Sequence, residues 1–180
     1  MALRKIYRFP EPVLRAPTRD VTSFDSELRR LVDDMVETMY SKNGAGLAAI
    51  QVGEPLRLYI VEASVTGGDP NDMPVVFANP RIEWMSTETE TSDEGCLSFP
   101  GIYVPVKRSL KARVRALDLD GKEFVAEAED LYARAVQHEG DHLENKLLID
   151  FVGPLKRTMI KRKLDRMTDE EAHDLQALGE

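Results

Sequence analysis

Two histidines four residues apart, in the segment His138-Glu139-Gly140-Asp141-His142, constrain this chain more than any other feature. On an α-helix, positions i and i+4 lie on one face about one turn apart, so both imidazoles can reach a single ion. Glu139, directly after the first histidine, can approach a water on such an ion as a general base. Apolar spacing around the segment predicts a helix over residues 131–144. Gly140 weakens that helix by about 1 kcal/mol relative to Ala and does not forbid it. Taken alone, the pattern also fits two surface histidines beside acidic neighbours.

A catalytic centre of this kind uses three protein ligands and keeps one position open. His173, the remaining histidine, lies in a hydrophilic tail and is a poor third ligand. A downstream glutamate would serve, but nothing singles one out. Cys96, the only cysteine, is the better candidate, because a thiolate is a strong ligand whose charge suits a divalent ion. A lone free cysteine is most often a small buried hydrophobe. Here Gly95 permits close backbone approach, and Glu94 and Ser98 make the setting polar. One cysteine also excludes an intramolecular disulfide, and a cytoplasmic location is the simplest reading.

The 180 residues suit one compact domain spanning 1–180. A net charge of −8 disfavours DNA as a partner. No apolar run is long enough to span a bilayer, so no membrane partner is expected. The opening residues lack the apolar core of a secretory signal, and Pro10 and Pro12 interrupt any amphipathic helix there. Leu28, Leu31, Val32, Met35, Val36 and Met39 recur at helical spacing, with Ser23 or Asp25 placed to cap and Gly44 beyond the end. Strands are predicted over 56–62 and 74–84. Two more, 110–118 and 122–128, bracket a hairpin turn at Asp120-Gly121. A third helix is predicted over 155–167, with Leu155, Met159, Ile160, Leu164 and Met167 on one face, followed by an acidic tail from 168 to 180. The fold class is therefore α+β: antiparallel and mixed strands around the two-histidine helix, flanked by an N-terminal and a C-terminal helix.

Three separated segments together carry a family resemblance: Gly44-Ala45-Gly46-Leu47-Ala48-Ala49-Ile50-Gln51, Glu94-Gly95-Cys96-Leu97-Ser98 and Gln137-His138-Glu139-Gly140-Asp141-His142-Leu143. In sequence and order they resemble the three signature motifs of the peptide deformylases. Arg15 and Arg108 in the flanks look similar too, and the resemblance spans roughly residues 5–165.

The resemblance implies an enzyme that removes the N-formyl group from the N-terminal formylmethionine of nascent polypeptides. It implies that Cys96, His138 and His142 bind one divalent metal, usually ferrous iron (Fe2+), with zinc, nickel or cobalt as substitutes. Glu139 would move the proton. The Gln51 side chain and the Leu97 backbone N–H would donate to the formyl oxygen, as a poorly electrophilic formamide requires. Gly44, Ala45, Gly46, Glu94, Gly95 and Tyr103 would meet substrate, and Arg108 would support Glu94. Asp141 is either a supporting residue or a solvent-facing helix position. The family often has Gly where this chain has Asn145, which tolerates a left-handed helix end. Some bacterial members have Arg where it has Tyr103. Lys156, Arg157, Lys161, Arg162, Lys163 and Arg166 read first as a solvated helix face and alternatively as a docking surface for ribosomal RNA. The competing readings are an HExxH zinc endopeptidase and a metal-binding module without catalysis; intact Gln51, Glu139 and ligands argue against the latter.

Overall fold

The structure, a computed structural model, describes residues 2–179. Helix α1 (Ser26–Ser41) begins where the Asp25 carboxylate accepts a bond from the Leu28 N–H, so Asp25 is the cap. Its stripe of Leu28, Leu31, Val32, Met35 and Met39 is buried with Leu47, Leu58 and Ile60 from the adjacent strands. The small-residue segment that follows makes β1 (Gly46–Ala48) and a 3-10 turn, Ala49–Val52. The chain continues through β2 (Leu58–Val61), β3 (Val75–Met85), β4 (Thr89–Cys96), β5 (Phe99–Ser109), β6 (Lys111–Leu117) and β7 (Glu123–Glu129).

Five strands form one sheet in the order β1-β2-β3-β6-β7, and β4 and β5 form a separate two-stranded hairpin. Every named pair is antiparallel, so the expected mixed pairing is corrected. The one parallel contact among the described residues is an isolated bridge between Arg19 and Leu56. Parallel neighbours need a long crossover, whereas these strands follow one another through turns and one inserted hairpin. Strand β5 was not foreseen, because Pro100, Gly101 and Pro105 break its pattern. It tolerates them because, among the described residues, β4 is its only sheet partner. Its inward positions are Ile102, Val104, Val106 and, last, Arg108.

Helix α2 (Leu131–Leu143) carries the paired histidines and contacts both the five-stranded sheet and β5. Ala133, Val136 and Leu143 fix one side of it in the core with Tyr59, Phe77 and Val114. It ends as the sequence suggests. Asn145 takes a φ of 57°, its N–H bonds the His142 carbonyl, and the Lys146 N–H bonds that of Asp141. That pair of bonds is the Schellman pattern.

Helix α3 runs from Pro154 to Leu178, so most of the expected acidic tail is helical. No Gly or Pro interrupts it after Pro154, and Glu171 in the outer half pairs with Arg8 at 2.8 Å. Its buried stripe is Ile160 and Leu164 with Met167 partly covered; Leu155 and Met159 are exposed, contrary to expectation. At 100° per residue, 155 and 159 stand well off the line through 160, 164 and 167. Ahead of α1, the N-terminal segment forms a strap: the Arg4 N–H bonds Thr38, the Tyr7 N–H bonds the Gln51 carbonyl and the Phe9 N–H bonds the Ser98 carbonyl.

Candidate active site and metal centre

The β4–β5 hairpin closes through Leu97 and Ser98, which places Cys96 at its tip, beside a register shift after Gly95. The tip meets α2 where His138 and His142 project. Cys96 Sγ lies 3.4 Å from His142 Nε2, and one ligand atom from each of Cys96, His138 and His142 falls within 4.8 Å of the others. His138 Nδ1 donates to Glu94, which leaves Nε2 for the centre. A thiolate and two imidazoles converging from two elements fit one divalent cation, and this donor set suits iron, zinc, cobalt or nickel. His173, on the exposed outer half of α3, stays apart.

Behind His138 lies a buried charge cluster. Arg108 grips the Glu94 carboxylate with two bonds of 2.8 Å, and its Nη1 reaches Asp141 Oδ2 at 2.6 Å. A second guanidinium, that of Arg134, donates to Glu94 Oε2 at 2.6 Å and to the carbonyls of Val106 and Glu90. Burial pushes the Glu94 carboxyl up, but the bonds from Arg108 and His138 outweigh it and hold the group at about 2. Glu94 is thus a fixed anion that orients His138. Both its oxygens are taken by these partners, and the residue also lines the cleft described below. Asp141 is tied into the same cluster and is not a free solvent-facing residue. Arg134 escaped the sequence reading. Its only signal was its place four residues before His138, one turn away on the same helix face.

Glu139 is 5% exposed, and its Oε2 has no hydrogen-bond partner among the described residues. Burial, partly offset by His138 and reinforced by Glu94, raises its carboxyl to about 7. A buried unpartnered carboxylate oxygen beside the ligands has the placement of a group that handles a proton. It opens onto a cleft of about 1470 Å³ whose walls include Gly44, Ala45, Gly46, Gly95 and Tyr103, together with Leu97. Tyr103 is exposed at the rim, with its ring over Gly95. Gly46 is required by proximity: a Cβ there would stand 2.6 Å from Glu139 Oε1. Gly46→Ala is therefore expected to displace the carboxylate, retain metal and slow turnover by about 10²-fold, the scale of a 1 Å misplacement. Parallel kcat and metal analysis check this; an unchanged kcat would mean that Glu139 needs no such placement.

Gln51 is buried beside the centre. Its Oε1 accepts from the Ala48 N–H at 2.9 Å, while Nε2 donates to Ser98 Oγ at 3.1 Å and lies 3.4 Å from Cys96 Sγ. Cys96, His138, Glu139, Gln51 and Leu97 thus line the cleft, with His142 buried against Cys96 and Arg108 bonded to Glu94 behind them. Arg15 does not join them. It pairs with Asp150 at 2.7 Å and donates to the Asn145 carbonyl, tying the chain before α1 to the segment after α2.

A family model for polypeptide deformylase matches residues 3–158. The chain belongs to the polypeptide deformylase family. Its relatives include a peptide deformylase of Bartonella tribocorum, 42% identical over 171 residues that make up 95% of this chain and 96% of the relative. Peptide deformylase 1 of Shewanella oneidensis is 45% identical over 172 residues, or 96% and 99% of the two chains. Among solved structures, a peptide deformylase from Legionella pneumophila superposes with a TM-score of 0.88 at 42% identity, covering 95% of this chain and 98% of that one. The deformylase from Ehrlichia chaffeensis in complex with actinonin gives 0.86 at 33% identity, covering 93% and 98%.

Proposed function

We propose that this chain hydrolyses the N-formyl group from the N-terminal formylmethionine of newly made polypeptides, releasing formate and a free amine. The observation that supports this best is the convergence of Cys96, His138 and His142 beside the unpartnered Glu139 oxygen, where Cys96, His138 and Glu139 line the cleft. A divalent cation held by the three ligands, ferrous iron being the family's usual one, would supply Lewis acidity to the formyl oxygen and lower the pKa of a water. Glu139 takes a proton from the attacking water as its oxygen bonds to the formyl carbon. It then returns the proton to the amine nitrogen as the C–N bond breaks. The Gln51 amide and the Leu97 N–H donate to the formyl oxygen as it gains negative charge. Gly44, Ala45 and Gly46 let the peptide backbone approach, and Tyr103 meets side chains beyond the first residue. Glu94, locked by Arg108 and Arg134, keeps the His138 ring and its tautomer in place.

The cytoplasm, where formylated chains are made, is the matching compartment, and one domain carries the whole activity. The cations on the first half of α3 are read as a solvated face. Salt-sensitive co-sedimentation with ribosomes would show instead that they dock on RNA.

The deciding experiment is turnover of a formyl-Met peptide by anaerobically purified protein, with formate measured and metal content determined by elemental analysis. Formate release in proportion to bound metal is expected. Cleavage of internal peptide bonds without formate release would replace this reading with an endopeptidase.

A further inference from the structure

A carboxamide offers one acceptor oxygen and two N–H hydrogens. The oxygen of Gln51 is committed to the Ala48 N–H, and only an oxygen can accept there, so the orientation of the amide is fixed. One Nε2 hydrogen goes to Ser98 Oγ at 3.1 Å. The other is directed to Cys96 Sγ at 3.4 Å, on the side of the centre. Ser98 is fully buried, and the mechanism above gives it no task.

The N-terminal strap connects these two residues from behind. The Tyr7 N–H donates to the Gln51 carbonyl at 2.7 Å and the Phe9 N–H to the Ser98 carbonyl at 3.0 Å. Phe9 also stacks on Phe99, at 5.3 Å between centroids, next to the hairpin turn. Two alternate residues of one extended segment thus hold, backbone to backbone, the two segments whose side chains meet at the Gln51 amide.

We propose that Ser98, braced by the residue 7–9 strap, is a positioning residue for Gln51: its hydroxyl engages one amide hydrogen and so keeps the other on the side of the centre, where it passes from Cys96 Sγ to the formyl oxygen in turnover. This rests on the reading of Gln51 as a donor to that oxygen. The hydroxyl acts only through Gln51 and does not touch substrate.

The test uses the full, metal-loaded chain. Ser98→Ala is expected to lower kcat about 3- to 10-fold, the scale of one neutral hydrogen bond. KM and metal content should stay unchanged, and Ser98→Thr, which keeps a hydroxyl, should recover the rate. Gln51→Ala alone should slow turnover by about 10² to 10³. In that background Ser98→Ala should cost nothing more. Independently of activity, the Gln51 side-chain amide in ¹⁵N-labelled protein should exchange with solvent faster in Ser98→Ala than in wild type; its resonances are identified by their loss in Gln51→Ala. An equal Ser98→Ala penalty in both backgrounds, or unchanged kcat and exchange, would overturn the proposal. Wild-type kcat in Gln51→Ala would instead overturn the donor reading of Gln51, and the exchange result would still judge the Ser98 bond separately.

Discussion

Glu139→Gln is expected to keep close to one metal ion per chain, bind a formyl-Met peptide, and turn over slower by about 10² to 10⁴, the range of general acid–base catalysis. Gln matches the carboxylate in size, so the fit against Gly46 survives. The change removes the one property the site requires, a group that both accepts and returns a proton. Wild-type rate should rise with pH as this carboxyl ionises. Burial, partly offset by His138, raises it to about 7, and a cation beside it would pull that value down. The variant should lack that limb of the pH–rate profile. Loss of metal from a folded Glu139→Gln protein would recast the residue as a ligand support, and wild-type turnover would assign the proton to another group.

Cys96→Ala should remove most of the metal and abolish formate release. Three ligands suffice for a catalytic centre and none is spare. Among the described residues, the only cluster of metal-binding side chains contains Cys96, His138 and His142. Folding should survive, because Cys96 sits at a hairpin tip and is only partly buried. Circular dichroism, metal analysis and turnover together check this. Full metal occupancy in the variant would mean that another group completes the ligand set. His138→Ala should behave alike and also leave one oxygen of Glu94 without its imidazole partner.

The convergence of Cys96, His138 and His142 was legible in the sequence because two histidines at i and i+4 fix a helix and Cys96 sits in a short segment of unusual composition, whereas the part given to Gln51 came from the family resemblance. Asn145 was legible because one residue type meets one backbone demand. Strand β5 was hidden because Pro100 and Pro105 argue against a strand unless one knows that it has a single sheet neighbour. The register of α3 was misjudged because Leu155 and Met159 are apolar, whereas burial follows Ile160 and Leu164. Arg134 was one arginine among many, and its task depends on Glu94, 40 residues away along the chain. The antiparallel order of the sheet depends on how the inserted hairpin turns the chain between β3 and β6, which no local pattern encodes.

The hairpin tip and α2 would contribute their proposed ligands from positions 46 residues apart, Cys96 and His142. An ion bound there is a cross-link as well as a reagent, closing a long loop much as a disulfide does in chains with cysteines to spare. Ligand binding to the folded state alone raises its stability, once the site is filled, with the logarithm of free ligand concentration over the dissociation constant. Stripping the metal should therefore loosen the joint between hairpin and helix before the rest of the fold.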